Sequence, residues 1–110
     1  MENLTALTKS EEQVMLKLWR LKEANVEAVK SEYTTKAPAY NTVSTIIRIL
    51  EKKGFVDHRK KGRGYVYSPK ISKDTYASFL TRHLIHNYYD DDRKALISQL
   101  NQTKSLKDLL

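Results

Sequence analysis

The sequence has no cysteine. That removes disulfides, thiolate zinc sites, iron–sulfur ligation and cysteine nucleophiles together, and it fits a reducing compartment. No apolar run approaches the roughly 20 residues of a membrane-spanning helix. Residues 1–8 hold no basic region followed by an apolar stretch, so no secretory signal is expected there. These absences predict a soluble, cytoplasmic chain without membrane insertion. Breakers are also scarce. The only prolines are Pro38 and Pro69, and the only glycines are Gly54, Gly62 and Gly64. Outside that stretch the chain favours helix. No glycine-rich phosphate loop, nucleophile motif or spaced carboxylate pair is visible, so an enzyme is not expected. No metal site or cofactor is expected either. His83 and His86 lie three apart before Asp90, Asp91 and Asp92, but a surface or dimer face and a helix N-terminus account for them better than a metal.

What is present is positive charge, unevenly placed. The 110 residues carry +7, and residues 36–63 hold eight basic and two acidic side chains. The eight are Lys36, Arg48, Lys52, Lys53, Arg59, Lys60, Lys61 and Arg63. Charge added only for solubility would be spread out. A concentrated excess predicts a polyanion, nucleic acid first and an anionic membrane second. A hydrophobic content of 40% suffices for a core. A domain this short buries only about two-thirds of its unfolded surface, so a partner surface would help it.

Periodicity divides the chain. Thr8 begins a capping box with Glu11, and a helix from Lys9 to about Lys22 carries Val14, Leu18 and Leu21 on one face, with Met15 and Trp19 beside it. Trp19 suits the centre of a small three-helix core. A shorter helix, capped by Asn25, spans about Val26 to Tyr33. A third, about Ala39 to Lys53, has Val43, Ile46, Ile47 and Leu50 on one stripe. Its other face shows Asn41, Thr42, Ser44, Thr45 and Arg48. These are mostly short polar side chains and middling helix formers, suited to close contact and specific hydrogen bonds. Gly54 ends this helix.

Two β-prone runs follow, Phe55–His58 and Tyr65–Ser68, around the basic stretch 59–64. They predict a hairpin whose tip cations repel one another unless an anion compensates. His58 is either a phosphate contact or a plain strand residue. Ser72 caps a helix from about Lys73 to Tyr89, with Tyr76, Phe79, Leu80, Leu84 and Tyr88 apolar. Asp90–Asp92 open a further helix through about Leu100, with Leu96, Ile97 and Leu100 apolar, and Leu106, Leu109 and Leu110 suggest a last turn.

The order helix, helix, helix, hairpin, helix is that of a winged helix-turn-helix: mainly α with a small β-hairpin. It would comprise a DNA-binding winged helix, residues 1–70, and a helical dimerisation region, residues 71–110. The third helix would enter the major groove and the wing would follow the backbone. Base-reading candidates are Tyr40, Asn41, Thr42, Ser44 and Thr45. Backbone candidates are Lys36, Arg48, Arg59, Lys60, Lys61 and Arg63. The C-terminal apolar residues Tyr76, Phe79, Leu80, Leu84, Tyr88, Leu96, Ile97 and Leu100 have no obvious place in a core made by the first three helices and predict a homodimer.

Residues 7–15, the Leu18–Trp19 pair, residues 39–56 and the wing end 65–69 resemble the penicillinase repressor family. These are bacterial winged-helix dimers that repress β-lactamase, methicillin-resistance and copper-response genes. The resemblance spans about residues 4–100. It implies a homodimeric transcriptional repressor on a palindromic operator, responsive to antibiotics or cell-wall stress, with a membrane sensor protease relieving repression. Its copper-responsive members carry a C-terminal cysteine motif, which this chain lacks. The stretch near Ile97–Asn101 has no match to the dipeptide cleaved in antibiotic-responsive members. A different class, a winged-helix protein scaffold or a peripheral membrane binder, would need no small polar face beside a cationic wing, and a membrane binder would expose large apolar residues on its basic face.

Affinity for a palindromic duplex is expected to fall steeply as salt rises, because each protomer of a dimer brings a basic patch. Fluorescence anisotropy across a salt series checks this, and an affinity flat from low to high salt would sink the electrostatic reading.

Overall fold

The computed structural model describes residues 4–103. Five helices and one hairpin follow in order: α1 Lys9–Leu21, α2 Val26–Ser31, α3 Tyr40–Lys52, β1 Val56–Lys61, β2 Gly64–Pro69, α4 Lys73–Tyr88 and α5 Arg93–Gln102. The expected turn at Leu106, Leu109 and Leu110 lies outside the described residues. The chain divides into two compact units, one ending at Tyr76 and one beginning at Ala77.

In the first unit the helix ends follow local chemistry. The Thr8 hydroxyl accepts from the Glu11 N–H at 3.2 Å, and the Thr8 N–H donates to the Glu11 carboxylate at 2.9 Å. Both arms of the capping box are therefore closed. The Asn25 side chain caps α2 through the Ala28 N–H. Helix α2 stops at Ser31, short of the expected Tyr33. Helix α3 ends in a reciprocal pair of backbone bonds: Gly54 N–H to Glu51 O, and Phe55 N–H to Leu50 O, each near 3.0 Å or shorter. Gly54 has φ +85 there, a left-handed conformation that glycine takes without strain.

The core is built by Val14, Met15 and Leu18 from α1, Val26 and Val29 from α2, and Val43, Ile47 and Leu50 from α3. The predicted helical stripes therefore face inward, as burial of apolar area requires. Phe55 and Val56, at the exit of α3, are also fully buried. The hairpin differs from the expected long tip. Strands β1 and β2 pair in register from Val56 opposite Pro69 to Lys61 opposite Gly64. Only Gly62 and Arg63 turn the corner, with Gly62 at φ +62. Arg59, Lys60 and Lys61 are thus strand residues whose side chains alternate between faces. That alternation relieves much of the repulsion expected of a clustered tip.

Tyr76 corrects an expectation. Helical spacing puts it with the apolar dimer residues, yet only 4% of it is exposed, within its own chain. Its ring meets Trp19 at 6.0 Å and the edge of Phe55 at 5.7 Å, and its hydroxyl accepts the Leu7 N–H at 2.8 Å. Ile71 is buried in the same unit, and its carbonyl takes the Trp19 indole N–H at 2.9 Å. Trp19 accordingly sits half-buried beside residues 71–76 rather than at the three-helix centre. Helix periodicity alone placed Tyr76 on the stripe with Leu80 and Leu84; the first unit takes the first turn of α4 into its core.

In the second unit Asp90 and Asp91 adopt φ +50 and +65. Only Asp92 caps α5, accepting from Lys94 and Ala95 N–H groups. Leu80, Leu84, Tyr88, Ile97 and Leu100 are exposed. Phe79 and Leu96 are half-buried, and Phe79 packs against the edge of the His83 ring at 4.9 Å.

Truncating Tyr76 to alanine is expected to destabilise the first unit by about 3–5 kcal/mol, the range for deleting a buried aromatic. Tyr76→Phe, which removes the hydroxyl that accepts the Leu7 N–H, should cost about 1 kcal/mol. Urea unfolding of the full chain checks both, and an alanine variant as stable as the parent would contradict this placement.

Candidate nucleic-acid interface

The exposed side of α3 faces away from the residues that build the core. Asn41, Thr45 and Arg48 stand at i, i+4 and i+7, one ridge of the helix, and all three are exposed. Thr42 is exposed on one flank of the ridge. Tyr40 and Ser44 lie on the other, Tyr40 half exposed at 49% and Ser44 half-buried. No side chain caps α3 at Ala39, so its first-turn N–H groups have no side-chain acceptor.

The wing stands beside this helix and forms an open groove of about 550 Å³ with it. Tyr40, Asn41, Ser44 and Arg48 line one wall, Lys61, Tyr65 and Tyr67 the other, and Asn25 and Glu27 of the α2 start close an end. Thr42 and Thr45 lie outside the groove lining, as do Lys36, Lys60 and Arg63, all of them exposed. Tyr65 and Tyr67 were not singled out from the sequence. The signal was available: in Tyr65-Val66-Tyr67 a buried valine alternates with two tyrosines, which puts both rings on the face opposite Val66. Burial raises the Tyr67 hydroxyl pKa, and the nearby Glu51 carboxylate adds to that, so Tyr67 stays a neutral donor.

Two ion pairs and one histidine–carboxylate contact hold this arrangement. Lys53, at the end of α3, donates to both Glu11 carboxylate oxygens at 3.0 and 2.9 Å. The same carboxylate closes the α1 capping box, so one buried acid ties the start of α1 to the end of α3. His58 on β1 pairs through Nδ1 with Glu51 on α3, and its ring meets the Tyr65 ring edge-on at 5.2 Å. It is a partnered strand residue. Arg59 forms two parallel bonds with Glu23, Nε to one oxygen and Nη2 to the other, both at 2.8 Å. Lys53 and Arg59, counted from sequence within the basic patch, are therefore already neutralised by carboxylates from the N-terminal third. Among the described residues Lys36, Arg48, Lys60, Lys61 and Arg63 make no ion pair. The cationic surface is narrower than the sequence total suggested, and it is centred on the exposed α3 ridge and the wing.

Comparison with known proteins decides the family. The penicillinase repressor family model matches residues 7–109. The chain belongs to the penicillinase repressor family. It is similar to the penicillinase repressor of Bacillus licheniformis, 26% identical over 98 residues, which cover 88% of this chain and 77% of that one. In structure it resembles the DNA-binding domain of the repressor BlaI, with TM-score 0.56 and 32% identity over 64% of this chain and 87% of that one. It also resembles monomeric Bacillus licheniformis BlaI in complex with the blaP half-operator, with TM-score 0.55 and 32% identity over 66% of this chain and 89% of that one. This penicillinase repressor relative thus has the winged helix-turn-helix architecture that its element order predicted. No helix among its described residues is long and apolar enough to cross a membrane.

The Glu11 pair makes a pH-dependent contribution. Burial pushes the Glu11 carboxyl pKa upward, but the Thr8 N–H and the Lys53 ammonium outweigh it and leave the pKa below the usual carboxylate range. A depressed folded-state pKa stabilises the fold above the unfolded pKa, and that stability is lost as pH falls through the folded value. Glu11→Gln keeps the capping box and removes the charge. It is expected to cost about 1–2 kcal/mol at neutral pH, with the gap closing in acid below the carboxylate range. Denaturation curves at several pH values check this, and a gap that stays constant with pH would contradict it.

Proposed function

We propose that this protein is a sequence-specific DNA-binding transcriptional repressor that acts as a homodimer on a palindromic operator. The observation that carries the reading is the groove itself, where a small-polar helix face meets a wing that carries unpaired cations, Lys61 among the groove's lining residues. Helix α3 enters the major groove. Asn41 and Thr45 on its ridge, with Tyr40, Thr42 and Ser44 on the flanks, read base edges; asparagine can bond adenine in bidentate fashion and threonine can touch a thymine methyl. Arg48, Lys60, Lys61, Arg63 and Lys36 neutralise phosphates and set register. The relative solved with a half-operator supports duplex DNA as the partner of this surface.

The division of labour follows the two compact units. The DNA-binding part extends to Tyr76, since Ile71 and Tyr76 belong to its core. The dimer face then falls to Phe79, Leu80, Leu84, Tyr88, Leu96, Ile97 and Leu100, several of them large, apolar and exposed. A second copy would cover them and present two α3 helices to half-sites about 10 base pairs, or a multiple, apart. Such a repressor acts in the cytoplasm. The family resemblance makes antibiotic or cell-wall stress the fitting signal and a membrane sensor protease the fitting antagonist. The scaffold and membrane-binder alternatives gain no observation: the basic face carries small polar residues and tyrosines rather than a large aliphatic patch.

Asn41→Ala and Thr42→Ala are expected to cut discrimination between operator and random duplex by about 1–3 kcal/mol. Lys60→Ala should weaken binding to both duplexes alike and lower the salt slope by about 0.9 per protomer. Anisotropy titrations against both duplexes make the comparison. Equal losses on both duplexes for the helix variants would reject their base-reading role.

A further inference from the structure

The wing of a winged helix is a two-stranded hairpin, and a lone hairpin is marginally stable in water. Its placement must come from contacts at its base. Besides the His58–Glu51 pair and the buried Val56 and Val66, residues 22–24 supply a set of these contacts. Lys22 ends α1 at φ 73 and turns the chain so that Ala24 lies alongside β2. Ala24 N–H donates to Tyr67 O at 3.0 Å, and Tyr67 N–H donates to Ala24 O at 2.8 Å. The preceding residue, Glu23, reaches across to β1 and takes both Arg59 bonds at 2.8 Å. The Arg59 hydrogen bonds hold the Glu23 carboxyl below the usual carboxylate range, so the pair is ionised throughout the neutral range.

The pair is electrically out of place. Glu23 brings a negative charge to the side of a wing that must attract phosphates, and Lys61 lies close enough to feel it. By charge alone, Glu23 opposes DNA binding. By geometry it favours it, because a planar bidentate fork fixes orientation as well as distance.

We infer that Glu23 and Arg59 are positioning residues for DNA binding: the pair sets the wing against α3, and Arg59 acts through that hold rather than as a phosphate contact. The inference rests on the repressor reading above. With Arg59 engaged, the backbone-contacting cations of the wing are Lys60, Lys61 and Arg63. The two accounts of Arg59 predict opposite signs for one substitution. Removing the Glu23 charge should tighten binding if Arg59 contacts phosphate, since it frees a guanidinium and adds net positive charge. It should weaken binding if the pair positions the wing.

The test uses the full-length chain and a duplex recovered by selection from a randomised library on the parent protein, with a random duplex as control. Exposed ion pairs contribute little to folding, so the variants are expected to melt near the parent. Glu23→Gln and Arg59→Gln should each weaken binding to the selected duplex several-fold, with the slope of log affinity against log salt unchanged. The exchanged variant, Glu23→Arg with Arg59→Glu, restores an opposite-charge pair at constant net charge and should recover most of the loss. Equal or tighter binding by Glu23→Gln would overturn the inference. So would a slope reduced by about 0.9 per protomer in Arg59→Gln, the signature of a lost phosphate contact. No preference of the parent for any selected duplex would instead reject the repressor reading, and this inference with it.

Discussion

The backbone turn at the end of α3 governs much of this molecule. Gly54 in a left-handed conformation lets two N–H groups return to the last turn of the helix, and the second belongs to Phe55. That bond drives the Phe55 side chain into the core, where it meets the edge of Tyr76. The Phe55 carbonyl in turn accepts the Lys70 N–H at 2.7 Å, which brings the end of β2 back to the start of β1. Phe55 therefore closes α3, leads into the wing and receives the first turn of α4. A fully buried aromatic side chain thus sits at the junction of α3 and the wing.

Electrostatics act on top of that frame and in two senses. Three carboxylates, Glu11, Glu23 and Glu51, each take a basic side chain from the α3–wing stretch. These pairs differ in worth. Glu11 is nearly buried and also satisfies a capping box, so its loss leaves Lys53 without its carboxylate and opens a helix end. The Glu23 and Glu51 pairs are exposed and contribute little to folding; each links β1 to a neighbouring element. The cations left over, on the α3 ridge and wing, are the ones free to exchange counterions for phosphates. A net charge counts both kinds equally, whereas a docking surface uses only the second.

Much of the fold was legible in the chain. The helical stripes of α1 and α3, the capping box at Thr8, the caps at Asn25 and Ser72, and the stop at Gly54 are all local signals, and local signals are determined by neighbours in sequence. The polar face of α3 was legible for the same reason. Tyr76 was not. A stripe at helical spacing shows that residues share a face, but not which body covers each of them, and the winged-helix core reaches one turn into α4. Six consecutive residues with four cations read as a loop from sequence, whereas backbone pairing carries strands through them to a two-residue turn.

The sequence by itself determined the element order, the family likeness, the small-polar face of α3 and the concentration of positive charge, because each depends on residue type and short-range spacing. Tertiary structure decided which cations are free. Glu11 and Lys53 are separated by 42 residues, and Glu23 and Arg59 by 36. Nothing local relates those positions. They meet because α1 and the turn after it pack where α3 ends and the wing begins, and only that packing separates a charge that holds the protein together from one that can hold something else.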